Sequence, residues 1–167
     1  MASKDAIALL KEDHREVEKL FEEFKDAKGE GRKQKLARKI CLELIVHSEI
    51  EETIFYPACE GTVEEDELKE GYVEHDAAKL LIAEIEANES GDDEFFDTKV
   101  HVLQEEIEHH IKEEEGSGGI FSQARNGKLD LDELGEQLAQ RKKELTERYE
   151  ADGLPQPKLK TMDEVTV

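Results

Sequence analysis

The sequence predicts an all-α protein: an up-down-up-down four-helix bundle with an additional C-terminal helix and a short tail. The composition favours helices, because 40% of the residues are charged, prolines number three and tryptophan is missing. Long segments carry apolar residues every three or four positions, which is the period of one helical face. A chain of 167 residues is also long enough to bury a single core.

The first two helices are separated by the glycine-containing stretch KGEGRK. Helix one is predicted from about Ser3 to Ala27, and helix two from about Arg32 to Tyr56. Helix two should end near Pro57, because the residue before a proline resists helical geometry. The inward stripe of helix one comprises Ile7, Leu10, His14, Val17, Phe21 and Phe24, and that of helix two Leu36, Ile40, Leu44, His47, Glu51 and Phe55.

Helices three and four are separated by the stretch NESGDD. Helix three is predicted from about Glu64 to Asn88, and helix four starts near Asp92 or Asp93, which are good capping residues. The stripe of helix three comprises Leu68, Tyr72, His75, Ala78, Ile82 and Ile85, and that of helix four Phe96, Val100, Leu103, Ile107, His110 or Ile111, and Glu114.

After helix four, GSGG at 116–119 interrupts the pattern and NGKLD at 126–130 predicts a turn. A fifth, amphipathic segment follows from about Leu131 to Arg148 and should pack across the bundle. We therefore expect one domain over residues 1–150. Residues 151–167 are predicted to form an extended or disordered tail, because they offer little to bury.

The formal net charge of −21 argues against binding to nucleic acid or to anionic membranes, since both require basic surfaces. The negative net charge does not exclude cationic partners. The sequence contains no secretory signal pattern and no apolar run long enough to cross a bilayer, so we expect a cytoplasmic protein. Cys41 and Cys59 are then expected to be reduced thiols. We expect a monomer or a weak dimer.

Two adjacent histidines occur in the acidic stretch EIEHHIKEEE at 106–115. Each residue advances a helix by about 100 degrees, so only one of the two can share the face of Leu103 and Ile107. That residue is His110, and His109 is predicted to face solvent. Glu114 follows His110 by one helical turn on the same face.

Six polar residues are thereby predicted to face the core. A lone inward histidine is usually an ordinary hydrogen-bonded core residue, but several buried ionisable groups together are costly unless they bind a metal. The candidate metal ligands are His14, His47, Glu51, His75, His110 and Glu114.

The ligand types narrow the choice of metal. Imidazole suits iron, zinc and copper, and carboxylates can bridge two ions. Six ligands are too many for one tetrahedral zinc but suit two octahedral irons with open positions. A ferritin-like site needs Glu-x-x-His pairs on two helices, and the only such pair, Glu106 with His109, faces outward. The sequence does not exclude zinc or manganese in place of iron.

Four stretches, EDHREVEKLF, HSEIEETIFYPA, EHDAAKLL and EHHIKEEE, resemble the hemerythrin-like, or HHE cation-binding, domain over roughly residues 5 to 150. The resemblance implies a four-helix bundle around two iron ions, oxo- or hydroxo-bridged. It also implies ligand roles: His14 and His47 on one iron, His75 and His110 on the other, and Glu51 and Glu114 as bridges.

Three positions depart from the family pattern. Lys79 stands where oxygen-carrying members have a second histidine, and Glu114 at +4 replaces a shorter carboxylate at +5. Ser48 stands where iron-sensing members have a glutamate. We therefore expect open coordination positions and no reversible oxygen carriage.

Tyr56 is a candidate seventh ligand. Two ferric ions carry more positive charge than two glutamates and an oxo bridge neutralise. An additional anionic ligand, such as a phenolate, would therefore be favoured in a dry core. The alternative is a packing tyrosine with its hydroxyl at the surface. Glu74, beside His75, is expected to orient an imidazole and not to bind metal.

The resemblance implies a protein that reacts with dioxygen or hydrogen peroxide, in its most concrete form a catalase-like or peroxidase-like activity in oxidative stress defence. Whether it is an enzyme is left open. The alternative is a module that binds or senses iron, dioxygen or nitric oxide without turnover. A purely structural helical protein without metal is the third hypothesis.

Overall fold

The computed structural model describes residues 4–88 and 91–163, over which the chain forms seven α-helices and one π-helical segment. The all-helical bundle with an extra C-terminal helix confirms the predicted fold class. The elements are α1 (Ala6–Asp26), α2 (Glu30–Ile50), the π-helix (Glu51–Phe55), α3 (Tyr56–Cys59), α4 (Glu65–Glu86), α5 (Phe96–Glu115), α6 (Ile120–Asn126) and α7 (Leu131–Asp152).

Helices α1, α2, α4 and α5 form the bundle, with α1 packed against α2 and α4 against α5. Helix α7 lies against α1 and α2, as the amphipathic fifth segment predicts. Two apolar clusters fill the interior. The first apolar cluster includes Val17, Phe21, Phe24, Leu36, Ile40, Leu44, Ala78, Ile82, Phe96, Leu103, Ile107 and Ile111. The second apolar cluster includes Ile7, Leu10, Val46, Ile50, Phe55, Tyr56, Leu68, Ile120, Phe121, Leu138 and Leu145.

The second helix ends two residues beyond Pro57, close to the expected end, but Tyr56 and Pro57 are themselves helical, because the helical path continues through the π-helix and α3 to Cys59. The Tyr56 N–H donates to the Glu51 carbonyl, five residues back, so the helix is locally widened. Pro57 then lies in the first turn of α3, where a missing N–H costs little. The π-helix turns Glu51, Glu52 and Phe55 into the interior.

Two other boundaries differ from the sequence expectation. Helix α5 begins at Phe96, because the Asp93 carboxylate accepts from the Phe95 N–H at 2.8 Å and forms a turn before the helix. The short helix α6 was not expected. It follows Gly119, where a Cβ atom would lie 2.2 Å from the Glu113 carbonyl oxygen, so this close turn requires glycine.

Residues 153–163 have no regular secondary structure but lie against the bundle. Leu154 packs on the first apolar cluster, and the Asp76 carboxylate accepts from the backbone N–H groups of Lys160 and Thr161. The expected helix start at Ser3, residues 89 and 90 of the NESGDD break, and the tail beyond residue 163 lie outside the described residues. No helix in the described ranges is both long and apolar enough to cross a bilayer.

Candidate metal centre

The six predicted core ligands meet in one layer of the bundle, between the two apolar clusters. All are buried, with at most 7% of each residue exposed. The helical period explains this position, since each histidine lies three residues, about one turn, from an apolar residue of the first cluster on its own helix. His109 and His101, off the stripe, are exposed.

The Glu51 carboxylate connects imidazoles from different helices. Its Oε1 atom lies 3.2 Å from His47 Nε2, 3.1 Å from His75 Nε2 and 3.9 Å from His110 Nε2. The π-helix makes this possible, because it presents a fully buried glutamate one turn after His47. Glu51 therefore spans the space between α2, α4 and α5.

The Glu114 carboxylate makes the second connection. Its Oε1 atom lies 3.2 Å from His14 Nε2 and 3.0 Å from His110 Nε2, so it joins α1 to α5. Each glutamate thus contacts one imidazole of the His14 and His47 pair and at least one of the His75 and His110 pair. Carboxylates in such positions can hold two cations close together.

The donor atoms form two compact groups, in each of which the donor atoms lie within 4.8 Å of one another. The first group contains His14, His47 and Glu114, and the second contains Glu51, His75 and His110. Either group offers two nitrogens and one oxygen, a donor set that suits a divalent or trivalent transition metal.

Several of these donor atoms are buried and make no well-aligned hydrogen bond, although imidazole and carboxylate atoms among them lie 3.0 to 3.2 Å apart: His14 Nε2, His47 Nε2, His110 Nε2, Glu51 Oε2 and Glu114 Oε1. A buried polar atom without a partner costs about 1–3 kcal/mol, so folded proteins rarely tolerate five together. Metal cations between the two groups would satisfy these atoms, and the residues present therefore fit a metal centre.

Each of the four imidazoles is held from behind by a carboxylate on its Nδ1 atom. This arrangement fixes ring orientation and directs Nε2 toward the centre, as in many metalloproteins. The pairs are His14 with Glu115 at 2.6 Å, His47 with Asp13 at 2.9 Å, His75 with Glu52 at 2.9 Å, and His110 with Glu74 at 2.7 Å.

We call Asp13, Glu52, Glu74 and Glu115 the outer carboxylates. Sequence reasoning found only Glu74, and the imidazole that it orients is His110 across the α4–α5 interface, not the adjacent His75. The other three share one sequence signal, since each is the immediate chain neighbour of a predicted ligand, but the signal does not show which imidazole each contacts.

A cavity of about 20 Å³ lies beside the imidazoles. Its remaining lining comes mainly from the first apolar cluster, including Val17, Leu44, Ile107 and Ile111. This volume suffices for one water-sized molecule. The centre therefore faces a small space that is polar on one side and apolar on the other.

Residues 5–117 match the family model of the hemerythrin HHE cation-binding domain. The chain belongs to this family. The match covers all six candidate ligands, so the cation-binding character of the domain coincides with the buried donor set. The expected family membership is confirmed.

Two known proteins are similar to this hemerythrin-family chain. A crystal structure of a hemerythrin HHE cation-binding domain-containing protein from Mycobacterium kansasii superposes with a TM-score of 0.76 at 21% identity, covering 90% of this chain and 95% of that one. This likeness shows the fold. A DNA nickase from Nostoc sp. is 29% identical over 118 residues, which are 71% of this chain but 33% of the nickase, so the chain spans about a third of that relative's length.

Lys79, which we expect at the position of the second histidine of oxygen-carrying members, is buried, and its ammonium contacts an outer carboxylate, Asp76 and the tail. Its ammonium donates to Glu52 at 3.0 Å and to the Lys158 carbonyl in the tail at 2.9 Å. It therefore supports the outer carboxylate of His75. Cations support two other outer carboxylates: Lys142 contacts Asp13, and Arg15 contacts Glu115.

Tyr56 is fully buried, so the surface hydroxyl of the alternative, a packing tyrosine, is wrong. Its hydroxyl donates to Glu114 Oε2 at 2.9 Å, and its ring stacks on His75 with centroids 5.5 Å apart. Burial, and then the charges of Glu114 and Glu51, raise the pKa of Tyr56 well above its usual value. A Cβ atom at Gly71 would lie 2.8 Å from this hydroxyl, so glycine leaves the space for it.

Protons bind strongly to the centre in the metal-free protein. Burial alone would lower the pKa of His47, but the negative charges of Glu51 and Asp13 outweigh burial and raise the pKa to about 10. The pKa of His110 is likewise raised well above its usual range, because Glu114, Glu51 and Glu74 together outweigh burial. Protons therefore compete with metal for the same nitrogens.

Proposed function

We propose that the chain binds two iron ions in this centre, bridged by an oxo or hydroxo group, and that it reacts with dioxygen or hydrogen peroxide. The observation that carries the proposal is the pair of buried three-residue donor groups, in which five atoms make no well-aligned hydrogen bond and each group contributes one glutamate that also contacts an imidazole of the other. Imidazole and carboxylate together suit iron, and the ligand number exceeds what one tetrahedral zinc uses.

The proposed ligands follow from the contacts. His14 and His47 would hold one iron and His75 and His110 the other, while Glu51 and Glu114 bridge them. The distances of 3.0 to 3.2 Å from each glutamate to imidazoles of both pairs support this assignment. Tyr56 is a further candidate ligand, because its hydroxyl lies at Glu114 and could turn to a cation after losing its proton.

Iron in such a site supplies redox and Lewis-acid chemistry. The chain's own residues have three roles. The outer carboxylates orient the imidazoles, the first apolar cluster limits the access of water to the centre, and the Tyr56 hydroxyl holds a proton at Glu114. Because the Lys79 ammonium is engaged by Glu52 and the tail, we infer that one position fewer is filled by protein than in an oxygen carrier. We therefore propose a catalase-like or peroxidase-like reaction in oxidative stress defence, with peroxide or dioxygen as the small ligand.

We do not extend the nickase activity of the Nostoc relative to this chain. The shared region is a third of that protein, and a net charge of −21 opposes contact with a phosphodiester backbone. We propose a cytoplasmic monomer or weak dimer that acts on small molecules without nucleic acid or membrane.

Iron reconstitution tests the proposal. Metal-free protein is loaded with ferrous iron, and the iron content, the optical spectrum and oxygen release from hydrogen peroxide are then measured. We expect two irons per chain, an oxo-to-iron charge-transfer band and rapid oxygen release. His110→Ala should lose all three, whereas His101→Ala, which changes an exposed histidine of the same helix, should keep them. Protein that binds no iron contradicts the cofactor, and loaded but inert protein contradicts the enzymatic function.

A sensing module without turnover is the second candidate, and the tail favours it. Lys79 joins the Lys158 carbonyl to Glu52, and Glu52 holds His75, so a continuous set of contacts leads from the tail to the centre. Metal or gas binding could thus change how the tail is held. This version predicts little turnover, together with slower hydrogen exchange of residues 158–161 in loaded protein than in metal-free protein.

A further inference from the structure

An aromatic contact leads from the candidate centre to the surface. The Tyr56 ring stacks on His75 at 7° on one side, and on another side it meets the Tyr72 ring edge to face, with centroids 5.2 Å apart. Tyr72 is partly exposed, unlike Tyr56. We call Tyr56 and Tyr72 the tyrosine pair.

The tyrosine pair is distinguished by its chemistry as well as by its position. The sequence has no tryptophan and three tyrosines, so phenols are the most easily oxidised aromatic side chains present. The other aromatic neighbours of the centre are Phe55 and Phe121, which resist oxidation and lie in the second apolar cluster. The third tyrosine, Tyr149, lies on α7 with its hydroxyl on Glu49.

Tyr56 also has an acceptor for its proton. A phenol loses an electron most readily when its proton can move at the same time, and the Tyr56 hydroxyl already donates to Glu114 Oε2 at 2.9 Å. The proton can move along this bond and return. Tyr72 lies beside the tail, with the Lys160 ammonium 5.7 Å from its ring centroid, and its partly exposed ring can exchange a proton with solvent.

We propose that the tyrosine pair carries single electrons from an external donor to the centre during peroxide reduction, an inference that rests on the proposed function. Reduction of hydrogen peroxide to two waters consumes two electrons and two protons. Each electron leaves Tyr56 as its proton moves to Glu114. Tyr72 then reduces Tyr56, the proton returns from Glu114, and Tyr72 loses a proton to solvent. Two molecules of a one-electron donor restore Tyr72, each giving up one electron and one proton, and the two protons that peroxide consumes are drawn from solvent.

The charge of the protein restricts the donor. A net charge of −21 repels anionic reductants such as ferrocyanide, and the Lys160 ammonium 5.7 Å from the Tyr72 ring centroid disfavours cationic ones at that surface, so neutral phenols and aromatic amines are the favoured class. The substrate class is therefore a small neutral aromatic donor that reaches the exposed part of Tyr72. Catalase-like oxygen release needs no electron from outside and does not use the pair.

Rapid freezing after mixing iron-loaded protein with hydrogen peroxide tests the path, with electron paramagnetic resonance as the readout and guaiacol as the donor. We expect a tyrosyl radical in the wild-type chain, whose spectrum narrows when the tyrosines are deuterated. Tyr72→Phe keeps the ring packing but removes the easily oxidised phenol. It should lose most guaiacol oxidation while retaining iron content and oxygen release. Tyr149→Phe is the matched control and should change none of these.

The outcomes separate this inference from the proposed function. Wild-type protein that is inert to peroxide contradicts the proposed function and the electron path with it. Protein that releases oxygen but forms no tyrosyl radical and oxidises no guaiacol contradicts the path alone. Guaiacol oxidation by Tyr72→Phe at the wild-type rate contradicts the path too, because the donor must then reach the centre by another route.

Discussion

The first apolar cluster and the metal centre are adjacent layers of the same four helices, yet different forces hold them together. Val17 lies one turn from His14, Leu44 one turn from His47, and Ile107 one turn from His110. In the cluster, burial of each side chain is favourable by itself. In the centre, burial of each side chain is unfavourable until a cation or proton satisfies it.

One helical period can therefore encode both a core that is stable by itself and a core whose stability depends on a bound ligand. The first apolar cluster should keep the bundle folded in the absence of metal, and the centre should add stability only when it is loaded. Perturbations of the two layers should therefore give opposite patterns when metal-free and loaded proteins are compared.

Glu51→Ala should have the largest effect, because Glu51 contacts three imidazoles. Removing one partner of a buried charged group typically costs about 3–5 kcal/mol, and here the bridging ligand is lost as well. We expect loss of metal binding and of the metal-dependent rise in melting temperature, measured by calorimetry with and without metal. Glu105→Gln, an exposed change on α5, is the control. Unchanged metal content in Glu51→Ala would contradict its place in the centre.

Leu103→Ala should give the opposite pattern. Leu103 is fully buried in the first apolar cluster, and such a truncation costs about 2–5 kcal/mol through lost burial and the remaining cavity. We expect the free energy of unfolding, measured by urea denaturation, to fall by the same amount in metal-free and loaded protein. Metal stoichiometry should not change. A loss of metal with this variant would show that the two layers are not independent.

The predictability of the two layers from sequence also differs. The stripes of the first apolar cluster follow from the helical period alone, and the same period identifies the inward face of His14, His47, His75 and His110. The π-helix could not be foreseen, because its widened turn depends on tertiary packing around Glu51 and Pro57 and leaves no periodic signal.

The outer carboxylates were hard to find for a related reason. Asp13, Glu52 and Glu115 are charged residues at the edges of helical faces, where solvated carboxylates are common, and their partners lie on other helices. The chain is also acidic enough that carboxylates flank many positions. Only the crossing of the helices shows which ones contact an imidazole.

Glu52→Gln tests how far the centre depends on its outer carboxylates. Glu52 links His75 to Lys79, and loss of such a partner typically lowers metal affinity by about 10- to 100-fold. We expect that decrease in a competition titration against a chelator, together with a loss of stability in metal-free protein, because the buried Lys79 ammonium loses its charged partner. Glu60→Gln, outside these contacts, should bind metal as the wild-type chain does. Equal affinity in Glu52→Gln and the wild-type chain would show that this outer carboxylate does not support metal binding.

A pH series should separate the layers without mutation. Because the pKa of His47 is raised from 6.5 to about 10, its stabilising effect on metal-free protein is full below about pH 6.5 and is lost as pH rises through about 10. The pKa of Glu51 is lowered from 4.5, chiefly by the imidazoles against the effect of burial, so its contribution is present above pH 4.5 and is lost on acidification.

Metal affinity should follow the opposite direction over the alkaline part of this range. Each proton that metal displaces from an imidazole makes affinity rise by up to about tenfold per pH unit. Stability of metal-free protein should thus fall between pH 6.5 and 10 while metal affinity increases. Potentiometric and calorimetric titrations measure both. A pH-independent metal affinity would mean that metal does not bind at these nitrogens.

Diffraction from crystals of iron-loaded protein, with anomalous differences collected at the iron edge, tests the central claim most directly. The account predicts two anomalous peaks in the buried layer, one among His14, His47 and Glu114 and the other among Glu51, His75 and His110. A single peak in that layer, or peaks confined to the acidic surface, would contradict it.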